Sequence, residues 1–172
     1  VNDANPRDWT AEELLLVKEV AARIRTASER LRAVAALRES ESKFRTIADA
    51  MPQIVWSTLP DGYHDYYNEQ WYTYTGVPHG STDGEGWNDI FHPNDQERAF
   101  ALWRECLRTG NTYEIQYRLR HHSGVYRWVL GRALPIRDED GNITRWMGTC
   151  TDIHDQKLAE EEKEHLGTLE AR

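Results

Sequence analysis

Histidine and cysteine are the side chains that most often bind metals or act as nucleophiles, and the sequence contains seven histidines and two cysteines. Cys106 and Cys150 are far apart and form no Cys-x-x-Cys pair, so neither a zinc site nor a disulfide framework is indicated. Both are predicted to be small buried hydrophobic residues. His121 and His122 lie at a predicted strand end, where successive side chains point to opposite faces and seldom share a metal. We therefore predict no metal site.

Sequence patterns of catalytic sites are also missing. The sequence contains no nucleophile elbow, no Walker loop and no His-Glu-x-x-His motif. The glycine-rich segment 76–86 lacks the residue order of a phosphate-binding loop, and its Asp83 and Glu85 would repel phosphate. Other acidic pairs fall on segments predicted to be solvated helices. We expect no catalytic residues and no enzymatic activity.

The charge balance excludes one class of partner. The 172 residues include 21 Lys and Arg against 29 Asp and Glu, a net charge of −8. Without a basic stripe, binding to a nucleic-acid backbone is not expected. No apolar run approaches the roughly 20 residues that span a bilayer, and no charged-then-apolar leader opens the chain. We expect a cytoplasmic protein without membrane insertion.

Residues 10–42 are predicted to form one long helix, because they lack Gly and Pro and are rich in Ala, Leu, Glu and Arg. Thr10 and Glu13 have the spacing of a capping box. Apolar or small residues recur at alternating steps of three and four, as in a coiled coil. These heptad positions are Leu14, Val17, Ala21, Ile24, Ser28, Leu31 and Ala35. We predict a homodimer through this seam, favoured over packing onto the same chain, with the orientation of the two helices left open.

The rest of the chain reads as a five-stranded antiparallel sheet of the α+β class. A second, shorter helix over residues 44–50 ends at Pro52. Two strands then form a hairpin, and three more form a meander after a helical excursion whose last helix begins at Pro93 and ends at Gly110. The predicted strands are 53–58, 63–68, 112–120, 125–135 and 143–153, and a final helix covers 155–172.

Aromatic residues are the most distinctive part of the composition, with seven Trp and eight Tyr against three Phe. Rings with a polar edge suit a pocket lining, where one edge is buried and the other forms a hydrogen bond. The predicted strands and the long helix place four side chains where they could line a cavity: Trp56, Trp103, Tyr117 and Met147. The competing interpretation is a packed core without a ligand.

Five segments, in order and spacing, make residues 43–153 similar to the PAS domain of bacterial sensor proteins. They are KFRTIADAMPQIVWSTLPDG, YNEQWYTYTG, GWNDIFHPNDQERAFALW, YEIQYRLRHHSGVYRWVLGRALPIRDEDGNI and RWMGTCTDIHDQK. The resemblance implies a PAS fold, with residues 1–42 as an N-terminal signalling helix and 154–172 as a C-terminal linker helix. The family's closing Asp-Ile-Thr is Asp152-Ile153-His154 here. Asp152 is implied as the anchor that relays a signal from the last strand to the output helix.

The resemblance also bears on cofactors. Flavin-binding light sensors of this family need an Asn-Cys-Arg string, and residues 69–86 contain no cysteine. Haem-binding members supply an axial histidine from the long helix or nearby, and residues 93–108 contain none, while His92 is implied to be structural. We expect no obligatory cofactor, and a small organic ligand stays open.

Residues 1–40 are similar to the last helix of a GAF domain with the linker that precedes a PAS domain. This implies a piece of a longer multidomain sensor, in most cases a histidine kinase. The expected function is a sensory, signal-relay and dimerisation module with an adjoining kinase or other output domain. The alternatives are a small-ligand-binding module, or a passive interaction spacer in another output protein such as a diguanylate cyclase.

Overall fold

The computed structural model describes the backbone of residues 8–170 and the side chains of residues 8–166. Residues 1–7 and 171–172, which belong to the predicted terminal segments, lie outside the described residues. The chain divides into two compact units, one ending at Thr46 and the other beginning at Ile47.

A single helix, α1 (Ala11–Ala50), occupies the first unit and continues into the second. Its start has the predicted capping box: the Glu13 N–H donates to Thr10 Oγ1 at 3.2 Å, and the Thr10 N–H donates to Glu13 Oε2 at 3.0 Å. The predicted separation into two helices near residue 43 is wrong. No Gly or Pro interrupts the segment, and the Thr46 hydroxyl bonds to the Ser42 carbonyl of the preceding turn.

The second unit contains the predicted five-stranded antiparallel sheet, which confirms the α+β class. Its strands are β1 (Ile54–Thr58), β2 (His64–Tyr67), β3 (Tyr113–Arg120), β4 (Tyr126–Arg137) and β5 (Ile143–Asp152). They lie in the order β2-β1-β5-β4-β3, so the hairpin and the meander meet where β1 pairs with β5. One sheet face is buried under the helical excursion, and alternation along β3 places Tyr113, Ile115, Tyr117 and Leu119 on it.

The helical excursion between β2 and β3 consists of α2 (Glu69–Thr75), a 3-10 turn (Asn88–Ile90) and α3 (Pro93–Thr109). His92 caps α3, because its Nδ1 accepts a hydrogen bond from the Asn94 N–H at 3.1 Å. This confirms the structural role implied for His92. At the other end Gly110 adopts a left-handed φ of 73° and closes the helix, as its sequence position predicts.

Asp95 fixes α3 to the sheet. Its carboxylate accepts hydrogen bonds from Nε and Nη2 of Arg118, both at 2.9 Å, and from the Arg118 backbone N–H at 2.9 Å. Burial opposes the charged form, but the bonds from Arg118 outweigh it and lower the pKa of Asp95. Because α3 covers the inner sheet face, this pair helps to set the position of the helix over the core.

The last helix, α4 (His154–Glu170), follows β5 after one residue. Within the described residues, no helix is long and apolar enough to cross a bilayer. Cys106 and Cys150 are free and buried, as predicted from their isolation in the sequence.

Candidate functional site

An aromatic cavity lies between the inner face of the sheet and the helical excursion. Its volume is about 30 Å³, which is on the order of the space of one water molecule and too small for an organic ligand in this conformation. The predicted residues Trp56, Trp103 and Tyr117 line it. The other lining residues are His64, Tyr67, Trp71, Trp87, Phe91, Tyr113 and Cys150. A ligand-binding role for Trp56, Trp103 and Tyr117 stays a prediction.

Met147, the fourth residue predicted to line the cavity, lies on the opposite face of the sheet. Along β5, Trp146 and Gly148 face the buried side, so the side chain between them points to the outer face. There Met147 is paired with Ser57 of β1 and Leu134 of β4. The prediction for Met147 is therefore wrong, because the alternation of β5 places Trp146 and Cys150 inside instead.

His64 stands among the aromatic rings of the cavity, although the sequence offered no reason to single it out. Its ring lies parallel to that of Tyr67, with centroids 5.6 Å apart, and 4.9 Å from that of Trp87. Its Nδ1 is buried and has no hydrogen-bond partner among the described residues. Burial lowers the pKa of His64 from 6.5 to about 4, against weaker opposing effects of Gly62, Asp65 and Gly84. His64 is therefore neutral at pH 7.

A bulge in the hairpin explains why His64 reaches the cavity. Trp56 is paired with Tyr67 and Thr58 with His64, and the register shifts between Ser57 and Thr58. Regular alternation would place residues 64 and 67 on opposite faces, but the extra residue lets both face inward. The pattern of apolar residues in this strand contains no signal of the bulge, so the sequence did not reveal His64 as a cavity residue.

Cys150 and Tyr117 form a buried polar pair at the cavity wall, with Sγ and Oη 3.1 Å apart. Burial raises the pKa of the Cys150 thiol to about 11, although hydrogen bonds to Tyr117 and Trp56 partly oppose the effect. Burial also raises the pKa of Tyr117. Because the thiolate is the reactive form of cysteine, Cys150 is a poor nucleophile in this fold.

Thr82 holds the loop that follows α2 against the aromatic cavity. The Trp71 Nε1–H donates to Thr82 Oγ1 at 2.8 Å, and the Tyr67 hydroxyl donates to the Thr82 carbonyl at 3.3 Å. The rings of Tyr67 and Trp71 are stacked with centroids 4.6 Å apart. Movement of this loop would therefore disturb two rings of the cavity.

Two strand glycines let rings lie directly on the sheet. A Cβ atom at Gly148 would collide with the ring of Trp56, and one at Gly131 would collide with the ring of Tyr117. The two glycines lie on the neighbouring strands β5 and β4, both facing inward. The rings of Trp56 and Tyr117 can therefore occupy these positions only because Gly148 and Gly131 have no side chain.

Asp152 lies at the junction between β5 and α4, where three donors from different elements converge. The Tyr74 hydroxyl of α2 and Arg127 Nε of β4 each donate to its carboxylate at 2.7 Å, and the His154 N–H donates at 2.9 Å. Arg127 also donates to Asp155 at 3.1 Å. Tyr74 and Arg127 were not predicted, because nothing in their local sequence indicates a contact with residue 152.

The same contacts set the charge of Asp152 and cap α4. Burial alone would raise the pKa of Asp152, but hydrogen bonds from Arg127, His154 and Tyr74 outweigh it and lower this pKa. The bond from the His154 N–H satisfies one of the free donors at the helix start. Asp152 thus supplies a cap for the start of α4, where His154 stands in place of the family's threonine.

His121 and His122 lie close together, with ring centroids 4.0 Å apart. The expectation that their side chains point apart is wrong, because both residues follow the end of β3 and the strand alternation no longer applies. Burial and the neighbouring His122 lower the pKa of His121. Among residues 8–170, no group of three or more His, Cys, Asp or Glu side chains could hold a metal ion.

The heptad seam of α1 is exposed in the single chain, with the exception of the half-buried Ser28. The exposed fraction reaches 61% at Ile24 and 71% at Leu31. Leu15 and Leu16, outside the seam, are also exposed. The helix therefore has more apolar surface than the predicted seam alone, and the homodimer through Leu14, Val17, Ala21, Ile24, Ser28, Leu31 and Ala35 stays a prediction.

Comparison with known protein families is consistent with this architecture. A model of the PAS fold matches residues 64–150. The peroxide stress-activated histidine kinase mak1 of Schizosaccharomyces pombe is 32% identical over 145 residues, which cover 78% of this chain and 9% of that protein. The chain spans 16% or less of the first curated relatives that it matches.

Two solved structures share the fold. A sensory box histidine kinase/response regulator from Burkholderia thailandensis superimposes with a TM-score of 0.55 at 25% identity, covering 76% of this chain and 98% of that one. The N-terminal domain of a diguanylate cyclase with PAS/PAC sensor from Marinobacter aquaeolei gives 0.56 at 27% identity, covering 61% and 98%.

Proposed function

Since this chain belongs to the PAS family, we propose that it senses a signal in the second unit and relays it through Asp152 to α4. The observation that carries this proposal is the convergence of Tyr74, Arg127 and the His154 N–H on one carboxylate. Tyr74 lies on α2, whose Trp71 lines the aromatic cavity. A shift of α2 would therefore change the contacts of the residue that caps the output helix.

The relay requires two discrete arrangements at the junction, because packed interfaces switch between discrete states and do not deform continuously. In one of these arrangements, the one that the structure shows, Arg127 bonds to both Asp152 and Asp155 and so connects β4 with the first turn of α4. Without the hydrogen bond from Tyr74, the Asp152 carboxylate would keep only those from Arg127 and from the His154 N–H. The signal would then appear as a change in the stability of the first turn of α4.

Replacing Asp152 with alanine is expected to loosen the start of α4. Loss of the cap costs about 1 kcal/mol, so the amides of residues 153–158 should exchange hydrogen roughly fivefold faster. Hydrogen exchange followed by mass spectrometry measures this directly. Glu161→Ala is the matched control, because Glu161 is an exposed acidic residue of α4 beyond its first turn. Equal exchange in Asp152→Ala and the unsubstituted protein would contradict the relay role.

We propose further that α1 forms a homodimer through its heptad seam. The support is the exposure of Ile24 and Leu31, because such a stripe is more stable when a partner helix covers it. The double substitution Ile24→Glu and Leu31→Glu places like charges at the seam and is expected to halve the mass measured by light scattering at micromolar concentration. Thr26→Glu, on the opposite side of the helix, should leave the mass unchanged. A monomeric unsubstituted chain would overturn this proposal.

The partner output domain is proposed to be a histidine kinase, supported by relatives described as such kinases. A diguanylate cyclase is the second candidate, supported by the similar domain from Marinobacter aquaeolei, which is described as part of a diguanylate cyclase.

We propose that this chain itself has no catalytic activity, since its cavity is lined almost entirely by aromatic side chains. A cytoplasmic location is proposed because Cys106 and Cys150 are both free thiols, as is usual in reducing compartments.

A further inference from the structure

A second, larger cleft opens on the surface beside the aromatic cavity. Its volume is about 320 Å³, at the lower end of the range of small-molecule sites. Three parts of the second unit form it: the turn between β1 and β2, the loop before the 3-10 turn, and α3. Gly62, at φ +93°, brings the turn against α3, where a Cβ atom would lie 2.7 Å from Leu107. Asp61 is thereby placed at the rim of the cleft.

The cleft is bounded by charges of both signs. Asp61 and Glu85 supply carboxylates, and Arg104 on α3 supplies a guanidinium. Arg104 forms no ion pair with a carboxylate of the described residues. A ligand with only negative charge would meet the two carboxylates, and one with only positive charge would meet Arg104. A ligand that carries both charges matches the whole rim.

Aromatic side chains form the floor of the cleft. Trp87, Phe100 and Trp103 line it, and the rings of Trp87 and Phe100 meet edge to face with centroids 4.9 Å apart. Trp87 and Trp103 line the inner cavity as well, so they form the wall between the two spaces. The Trp87 Nε1 is buried without a hydrogen-bond partner in the part of the chain that the structure describes.

We propose that this cleft binds a small zwitterion with an apolar side chain, of the α-amino acid class. Arg104 holds its carboxylate, Asp61 and Glu85 hold its ammonium group, and its side chain lies on Trp87 and Phe100. The ligand would act on the inner rings through Trp87 and Trp103. This proposal deepens the sensory role and rests on it, but ligand binding is measured separately from the relay through Asp152.

The experiment titrates the full chain with L-phenylalanine by calorimetry, together with phenethylamine, which lacks the carboxylate, and phenylpropionate, which lacks the ammonium group. Phenylalanine is expected to bind more tightly than either analogue. Arg104→Gln should weaken phenylalanine binding about tenfold and leave phenethylamine binding unchanged. Glu85→Gln should weaken binding of both amines.

Arg120→Gln is the matched control, because Arg120 is an exposed arginine at the end of β3 outside the cleft. It should bind phenylalanine as the unsubstituted chain does. No binding of phenylalanine at millimolar concentration would overturn the proposal. Equal binding of phenylalanine and phenethylamine, or unchanged phenylalanine binding by Arg104→Gln, would overturn it too. These outcomes leave the hydrogen-exchange test of Asp152 unaffected, so the two proposals fail separately.

Discussion

Replacing Gly148 with alanine is expected to lower the free energy of unfolding by about 3 kcal/mol, since the added methyl group must displace a ring in a packed core. The new Cβ would occupy space held by the ring of Trp56. Trp56 is buried and meets Trp103 edge to face, with centroids 5.6 Å apart, so its ring has little room to move. Denaturant unfolding followed by circular dichroism measures the difference.

Thr149→Ala is the control for this substitution. Thr149 is the next residue along β5 but faces the outer side of the sheet, where it is partly exposed. Its loss should change the unfolding free energy by less than about 1 kcal/mol. If Gly148→Ala is no more destabilising than Thr149→Ala, the ring of Trp56 does not lie against β5 as described.

The stability of the second unit is expected to fall by about 3 kcal/mol between pH 7 and pH 4 because of His64 alone. Its pKa is lowered from 6.5 to about 4 by burial, so the unfolded chain binds a proton at a higher pH than the folded one. Stability therefore rises with pH through this window and is lost as pH falls below 6.5. The difference between the two pKa values corresponds to about 3 kcal/mol.

The measurement is denaturant unfolding at several pH values between 4 and 7. In His64→Phe, which keeps a ring in the aromatic cluster but cannot titrate, this part of the pH dependence should disappear. His79→Gln is the matched control, because His79 is exposed, and it should keep the dependence. The lowered pKa values of Asp95 and Asp152 begin to reduce stability near pH 5. Both groups are present in the unsubstituted chain and in His64→Phe, so the difference between the two chains reports His64. An unchanged slope in His64→Phe would show that His64 is not buried as a neutral group.

The sequence by itself determined the elements and their class. Alternation along residues 113–119 specified a half-buried strand, and Asp61-Gly62 specified the hairpin turn. His92-Pro93 and Gly110 marked the ends of α3. Each of these features is set by residues that are neighbours in the chain, so the sequence alone is sufficient to predict it.

The tertiary structure decided which of these residues share a site. A bulge turned both His64 and Tyr67 inward, and the alternation of β5 turned Met147 outward. Tyr74 lies 78 positions from Asp152, and their contact exists only because α2 lies beside the end of β5. A shift of one residue in register moves a side chain to the other face of a sheet, and such shifts are fixed by packing between distant segments, which no local pattern contains.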